Sequence, residues 1–321
     1  MAQTATVVAM SPPDGAPLPR FPILAKRALA PEVKLFVIRA PRVARKQRPG
    51  QFVIVRLHER GERIPLTIAD ACPPAGTITL VVQGVGKTTR LLNRLEPGDA
   101  ILDVVGPLGR PSAVERYGTV AVVAGGVGAA IVWPTARALR AAGNRVLAVL
   151  GARSAELLVL EEELRAASDE LWVATDDGSR GRRGLVTDVL SDLLAGDRDD
   201  RRPDLVFAVG PLVMMRAVAA VTRPAGIRTL ASLNSIMVDG TGMCGGCRVR
   251  VGGENRFACV DGPEFDAHEV DFDVLLRRNA AYRKAEAASL AAFEAAPERD
   301  LEEARRACRA RPAEEPAEAR R

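Results

Sequence analysis

The sequence predicts a multidomain chain: an antiparallel β-barrel, then an α/β domain on a parallel sheet, then a small C-terminal cysteine module. Three observations predict it. Short β-branched runs punctuated by Pro and Gly fill the first third, apolar runs alternate with helical periods in the middle, and three of the five cysteines crowd into one turn-rich stretch. At 321 residues the chain has room for two or three such units. The expected divisions are a disordered N-terminus over 1–20, the barrel over 21–115, the α/β domain over 116–233, the cysteine module over 234–275 and a helical, charged tail over 276–321.

Composition removes several classes of function. Lys and Arg number 45 against 40 Asp and Glu, a net charge of only +5 with the arginines scattered, and aromatics make up 4% of the chain. Neither a basic footprint nor a stacking platform for nucleic acid is present. The longest apolar stretch, 119–134, is broken by Gly125, Gly126 and Gly128, so no transmembrane helix is expected. The N-terminus lacks a basic segment followed by an apolar core, and the expected location is the cytoplasm, with no membrane partner.

In the barrel, strands are expected at 33–39, 51–57, 77–82 and 100–105, with Pro49-Gly50, Pro73-Pro74 and Pro97-Gly98 between them. Two intervening loops carry more than packing. One runs from Arg63 through Pro65, Leu66 and Thr67 to Ala69; the other, Gly84-Val85-Gly86-Lys87-Thr88-Thr89, opens a short helix reaching Asn93. The second imitates a nucleotide phosphate loop, but that motif requires glycine where Val81 stands. What remains is a helix start whose N–H groups, with Lys87, Thr88 and Thr89, hold a pyrophosphate, or else a plain β-to-α turn.

In the middle, strands at 119–124, 146–150, 171–174, 205–209 and 228–232 alternate with helices at 129–142, 157–167, 184–194 and 211–221. Continuous apolar strands in such alternation form a parallel sheet covered on both faces, with ligands at the strand C-termini. Three strand ends are equipped: Gly125-Gly126-Val127-Gly128, Asp176-Asp177-Gly178-Ser179, and Gly210-Pro211. The first departs from the dinucleotide fingerprint, since Ile131 takes the third glycine's place. Arg153, past the second strand, is placed to meet a 2′-phosphate or to stand solvated; the reading is NADH, with NADPH open. Met214 and Met215 read as helix-face and core residues.

The cysteine stretch reads Asp239-x4-Cys244-x2-Cys247-x11-Cys259, the plant-type ferredoxin spacing of a [2Fe–2S] cluster with aspartate in the first place. Two thiolates two residues apart can grip one iron while ligands before and after the turn reach the other. Zinc is the competing reading, but a second knuckle or a histidine pair is missing. A disulfide framework fits poorly with so few cysteines in so long a chain. Cys72, Cys308, His58 and His268 have no ligand spacing and read as inert. A short helix is expected at 272–278, and beyond about residue 283 a helix and then a charged, disordered tail.

These residues carry a resemblance. Pro65-Leu66-Thr67 and Gly86-Lys87-Thr88-Thr89 resemble the two flavin-binding segments of the ferredoxin reductase superfamily, with Ile64 and Leu66 where that family has arginine and tyrosine. Gly125-Gly126-Val127-Gly128 and Gly210-Pro211 resemble its NAD(P)H segments, with Val209 in place of a cysteine. The stretch 231–263 is similar to the small-subunit family of flavin-bifurcating NADH-dependent ferredoxin:NADP oxidoreductases, related to sulfide and dihydroorotate dehydrogenase electron-transfer subunits; the likeness covers about 23–280. It implies FAD held by Pro65, Leu66, Gly86, Lys87, Thr88 and Thr89, with Thr67 orienting the isoalloxazine as the catalytic residue. Gly125, Gly126, Gly128, Gly210 and Pro211 are implied to bind NAD(P)H, joined by Arg153 and Asp177 on their strand-end positions, and Asp239, Cys244, Cys247 and Cys259 are implied to hold the [2Fe–2S] cluster. The implied function is electron transfer between NAD(P)H, FAD and the cluster, to or from a larger flavoprotein and iron–sulfur partner subunit, with ferredoxin reached through the complex. The related dihydroorotate dehydrogenase subunit, the alternative reading, has cysteine at the first ligand position, so Asp239 separates the two. A reading of another class is an NAD(P)H-binding redox sensor without turnover.

Overall fold

The computed structural model describes residues 20–195 and 201–309. Its first part consists of β1 (Phe21–Ala30), β2 (Val33–Arg39), α1 (Pro41–Lys46), β3 (Phe52–Arg56), β4 (Ile64–Cys72), β5 (Thr77–Gln83), α2 (Lys87–Leu92), β6 (Ala100–Ile101) and β7 (Asp103–Leu108). The second comprises β8 (Thr119–Gly125), α3 (Gly128–Ala141), β9 (Arg145–Ala152), α4 (Glu161–Ala167), β10 (Glu170–Thr175), β11 (Arg182–Arg183), α5 (Val186–Ala195), β12 (Leu205–Val209), α6 (Leu212–Thr222) and β13 (Arg228–Ser232). The remainder is β14 (Arg248–Val251), β15 (Glu254–Phe257), β16 (Glu264–Asp266), α7 (Phe272–Asn279), α8 (Arg283–Ala295) and α9 (Pro297–Arg309).

The first seven strands form an antiparallel, nearly closed barrel sheet in the order β6-β1-β2-β5-β4-β3-β7. Its core is Phe36, Ile38, Val53, Val55, Ile68, Ile78 and Leu80 with their neighbours, side chains that alternate inward along each strand. Three expectations need correcting here. The segment around Pro65 is strand β4 rather than a loop, β1 was not anticipated, and the run at 100–105 divides into β6 and β7 at Leu102. Pro65 is tolerated in β4 although it lacks a ladder N–H, and it lies opposite Ile54 of β3.

The second sheet has the order β11-β10-β9-β8-β12-β13-β16. All but the last pairing are parallel. Val120, Ala121, Val122, Val123 and Ala124 of β8 are fully buried because helices cover both faces, which is why the strand reads as an unbroken apolar run. The final strand, β16, comes from the cysteine module and adds antiparallel to β13. The module therefore continues this sheet across the boundary expected at 233.

The tail differs from expectation more than any other region. Instead of a helix dissolving into charged coil, α8 and α9 pack back on the barrel, placing Phe293, Leu301 and Ala304 in its core. Cys308 is likewise buried, donating to the Ala100 carbonyl at 3.1 Å. Burial pushes its thiol up to about 12. The disorder expected over 1–20 and in the last twelve positions lies outside the described residues, Arg20 apart. Among those described, no helix is long and apolar enough to cross a membrane.

Candidate functional site

Three loop systems meet around strands β3 and β4. The first is the half-buried start of β4, where Ile64 and Leu66 pack against the barrel core and Pro65 and Thr67 alternate onto the opposite face. Thr67 pairs with Phe52 and Pro65 with Ile54. At the N-terminus of α2, Gly86 has open space on its Cβ side, so a ligand can approach the backbone there. The side chains of that turn are already engaged. Thr89 Oγ1 accepts from the N–H groups of Val85 and Gly86, both at 3.0 Å. Thr88 Oγ1 donates to Glu62, and Lys87 Nζ lies 3.1 Å from Asp300 of α9.

The second system lies along the C-terminal edge of the parallel sheet, where neighbouring strands deliver residues 125–128, Arg153, Asp177 and residues 210–211 to one crevice. The three glycines at the end of β8 and in the turn beyond it do different work. A Cβ at Gly128 would strike the Val209 carbonyl, so this glycine lets α3 sit tight on β12. Gly125 and Gly210 pack around Met214, with a Gly210 Cβ falling 2.8 Å from its Cε. Gly126, at φ +55, faces open space. Met214 is thus part of the crevice wall, a placement that helical spacing alone did not reveal, whereas Met215 is fully buried as expected.

Arg153 is exposed, and its carbonyl accepts from the Asp177 N–H at 3.2 Å. The Asp177 carboxylate accepts from the Ser179 hydroxyl at 2.6 Å and the Ser179 N–H at 2.9 Å. Those two bonds, the hydroxyl first, hold its carboxyl below the usual range. The Ser179 hydroxyl in turn accepts from Ala155 N–H at 2.8 Å, tying this turn to the Arg153 loop.

The third system is the cysteine loop. Hairpin β14–β15 turns at Gly252 (φ +58) and Gly253 (φ +80), the two positive φ values a tight primed turn requires. Cys247 immediately precedes this hairpin and Cys259 follows it, so the eleven-residue spacing is two short strands and a turn. Their sulfurs lie 3.2 Å apart, both buried. Burial first, and then the neighbouring Cys247, pushes the Cys259 thiol up to about 12.

Cys244 sits on the exposed side, and its Sγ accepts from Gly246 N–H at 3.5 Å. Asp239 accepts from Thr241 N–H and Cys244 N–H, both at 2.8 Å. Led by the Thr241 bond, these N–H groups lower its pKa against the opposing effect of burial. Helix α7 pins the loop: Arg278 donates to the Gly246 carbonyl at 3.2 Å and Asn279 to that of Asn234 at 2.8 Å.

The geometry sets the candidate ligands two by two: the sulfurs of Cys247 and Cys259 lie together, and the Asp239 carboxylate meets the Cys244 N–H. The spacing argument had joined the two cysteines of the knuckle. Among the described residues no three His, Cys, Asp or Glu side chains converge as a single-ion site. A two-iron cluster needs two protein ligands per iron, so this donor set of three thiols and a carboxylate suits it better than zinc. The raised Cys259 thiol, which would give up its proton to a bound metal, fits the same role.

The systems touch one another. Ile54 of β3, the partner of Pro65, also packs on the cysteine loop, where a Cβ at Gly240 would fall 3.1 Å from its Cγ1. One apolar cluster runs from Phe52 and Ile54 through the sheet to Cys247 and Cys259. On its other side β4 meets α3, with Ala69 in that core and Arg137 donating to Asp70 at 2.6 Å. At the three-way junction, Ser112 Oγ lies 3.0 Å from Thr135 Oγ1 of α3 and donates to Glu264 of β16. Desolvation raises the Glu264 carboxyl to about 7. Neither Glu264 nor Asp300 was found from sequence, since each owes its setting to residues more than 100 positions away.

Comparison with known proteins agrees with this layout. The family profile "Iron-sulfur cluster binding domain of dihydroorotate dehydrogenase B" matches residues 234–271. A Thermotoga maritima protein named as a homolog of the electron transfer subunit of dihydroorotate dehydrogenase B (NAD(+)) is 51% identical over 271 residues, 84% of this chain and 94% of its own length. The electron transfer subunit from Desulforamulus reducens is 33% identical, over 77% and 96% of the two chains. Among solved structures, a chain of the NADH-dependent reduced ferredoxin-NADP oxidoreductase, described for flavin-based electron bifurcation, superposes with a TM-score of 0.81 at 49% identity, covering 87% of this chain and 99% of that one. Phthalate dioxygenase reductase matches at 0.51 and 18% identity, over 72% and 86% of the chains, a likeness of fold alone.

Proposed function

The chain belongs to the family of dihydroorotate dehydrogenase B electron-transfer subunits and their homologues, and from that premise we propose that it carries electrons between NAD(P)H, FAD and a [2Fe–2S] cluster, to or from a larger partner subunit. Such a chain solves a mismatch, because nicotinamide gives two electrons together, an iron–sulfur cluster takes one, and a flavin handles both. The observation that carries the proposal is the shared strand: β3 pairs with β4, whose face bearing Pro65 and Thr67 can receive an isoalloxazine, and touches the loop of Asp239 through Ile54 and Gly240.

The chain's own residues have assignable tasks. Thr67 offers a hydroxyl beside Pro65 on the face of β4 turned away from the barrel core, orienting the flavin ring, while Ile64 and Leu66 anchor the strand in that core. The N-terminal turn of α2, open beside Gly86, receives the diphosphate. Gly126 lets the dinucleotide's backbone approach the sheet edge, and Arg153 supplies a cation near its ribose. Asp177 fixes the turn opposite and excludes other conformations of it. Asp239, Cys244, Cys247 and Cys259 hold the cluster, which lies on an exposed loop with Met243 and Val238 facing outward, where a partner can accept electrons.

The finer reading is a ferredoxin:NADP oxidoreductase complex in the cytoplasm rather than a dihydroorotate dehydrogenase. It rests on Asp239 and on the 0.81 superposition. Native mass spectrometry of the complex purified from its source tests this reading. A partner that oxidises dihydroorotate overturns it; a larger flavin and iron–sulfur protein without that activity supports it.

A further inference from the structure

Helix α2 presents Lys87 and Arg90 along one face, at i and i+3, with Arg94 two residues past its end, and the C-terminal hairpin answers each with a carboxylate. Asp300 lies 3.1 Å from Lys87, Glu294 2.5 Å from Arg90 and Glu298 2.9 Å from Arg94. The Arg94 guanidinium also rests over the Phe293 ring at 5.7 Å. Beneath these pairs Phe293, Leu301 and Ala304 enter the barrel core, and Arg305 forks onto Asp99 at 2.9 and 3.0 Å. The hairpin is therefore fixed on the barrel at both its core and its rim.

The three pairs are not equal. Glu294 and Glu298 are exposed, and such pairs contribute little. Asp300 is only 3% exposed. Burial acts to raise its carboxyl, but Lys87 and then Arg299 outweigh this and hold it below the usual range. No directed hydrogen bond serves its Oδ2, so the Lys87 ammonium is what compensates that oxygen. Drawing Lys87 away to a ligand phosphate would strip the buried Oδ2 of its ammonium, leaving only Arg299, 3.2 Å from Oδ1, beside the carboxylate, and would set a second anion near it.

We infer that Lys87 serves the chain's own C-terminal hairpin rather than a phosphate, and that Asp300 acts through it as a positioning residue, setting the first turn of α2 for the flavin's diphosphate. The inference rests on the flavin reading above and assigns residues 283–309 a role in holding that ligand. Phosphate recognition then falls to the backbone around Gly86, with the hydroxyl of Thr89 fixing the turn from within.

FAD release from the purified full-length chain, followed as the recovery of free-flavin fluorescence, tests it in four proteins: wild type, Lys87→Met, Asp300→Leu and the double variant. Removing one partner of a buried pair strands the other, whereas replacing both with apolar side chains is close to neutral. Each single variant should release FAD at least about tenfold faster, and the double variant should return to within about threefold of wild type. A double variant as fast as Lys87→Met means that Lys87 touches the phosphate directly, and overturns the inference; so does an Asp300→Leu protein that releases FAD like wild type. Should Asp300→Leu fail to fold, as read by circular dichroism, Asp300→Asn removes the charge at constant volume and reads the same step. A wild-type chain that binds no FAD strikes the flavin reading itself.

Discussion

Asp239 is the residue on which the choice among relatives turns. Its carboxylate already holds two N–H groups of its own loop, so the loop is shaped around an oxygen ligand. A carboxylate donates less charge to iron than a thiolate, and exchanging ligand types on one iron moves such potentials by on the order of 100 mV per ligand. Asp239→Cys should therefore lower the cluster potential by that order in an EPR-monitored redox titration; an unchanged potential means Asp239 is not a ligand. Glu264 gives a prediction of another kind. Its folded value of about 7 stands above the ordinary 4.5, so folding favours its neutral form. The stability it contributes is full below pH 4.5 and is lost as the pH rises through about 7. Denaturant unfolding across that window should show wild type losing up to about 3 kcal/mol relative to Glu264→Gln. Parallel curves for the two proteins would remove Glu264 from the junction.

At the level of elements, the turn after β8 shows how three neighbouring glycines separate into packing and approach. Gly128→Ala drives a methyl into the Val209 carbonyl and should cost about 1–3 kcal/mol, seen as a fall in melting temperature. Gly126→Ala meets no neighbour and pays only for its positive φ, about 1 kcal/mol, but should weaken NADH binding more than stability. Equal losses of stability at the two sites would contradict this division. Strands β2, β12 and β13 were legible to the residue because their apolar runs end at turn residues. Strand β4 was not, since Pro65 and a half-buried face imitate a loop, and the same half-exposure is what makes it a ligand surface. In α9, Leu301, Ala304 and Cys308 share one face at helical spacing, but Arg and Glu crowd around them and obscure the stripe.

For the whole molecule, the cluster ligands and strand-end glycines could be read because each set is local in sequence. Their convergence could not, because it depends on Ile54 meeting Gly240, on β16 joining the parallel sheet, and on the tail returning to α2. The central claim is that the nucleotide crevice, the Pro65–Thr67 face of β4 and the cysteine loop form one path joined at β3. The most direct test mixes NADH anaerobically with the purified chain carrying FAD and cluster, reading flavin absorbance by stopped flow and the cluster by EPR. The account predicts that flavin absorbance bleaches within seconds and that the signal of a reduced [2Fe–2S] cluster follows. A flavin left oxidised, or one that bleaches while the cluster remains oxidised in the presence of excess NADH, would contradict it.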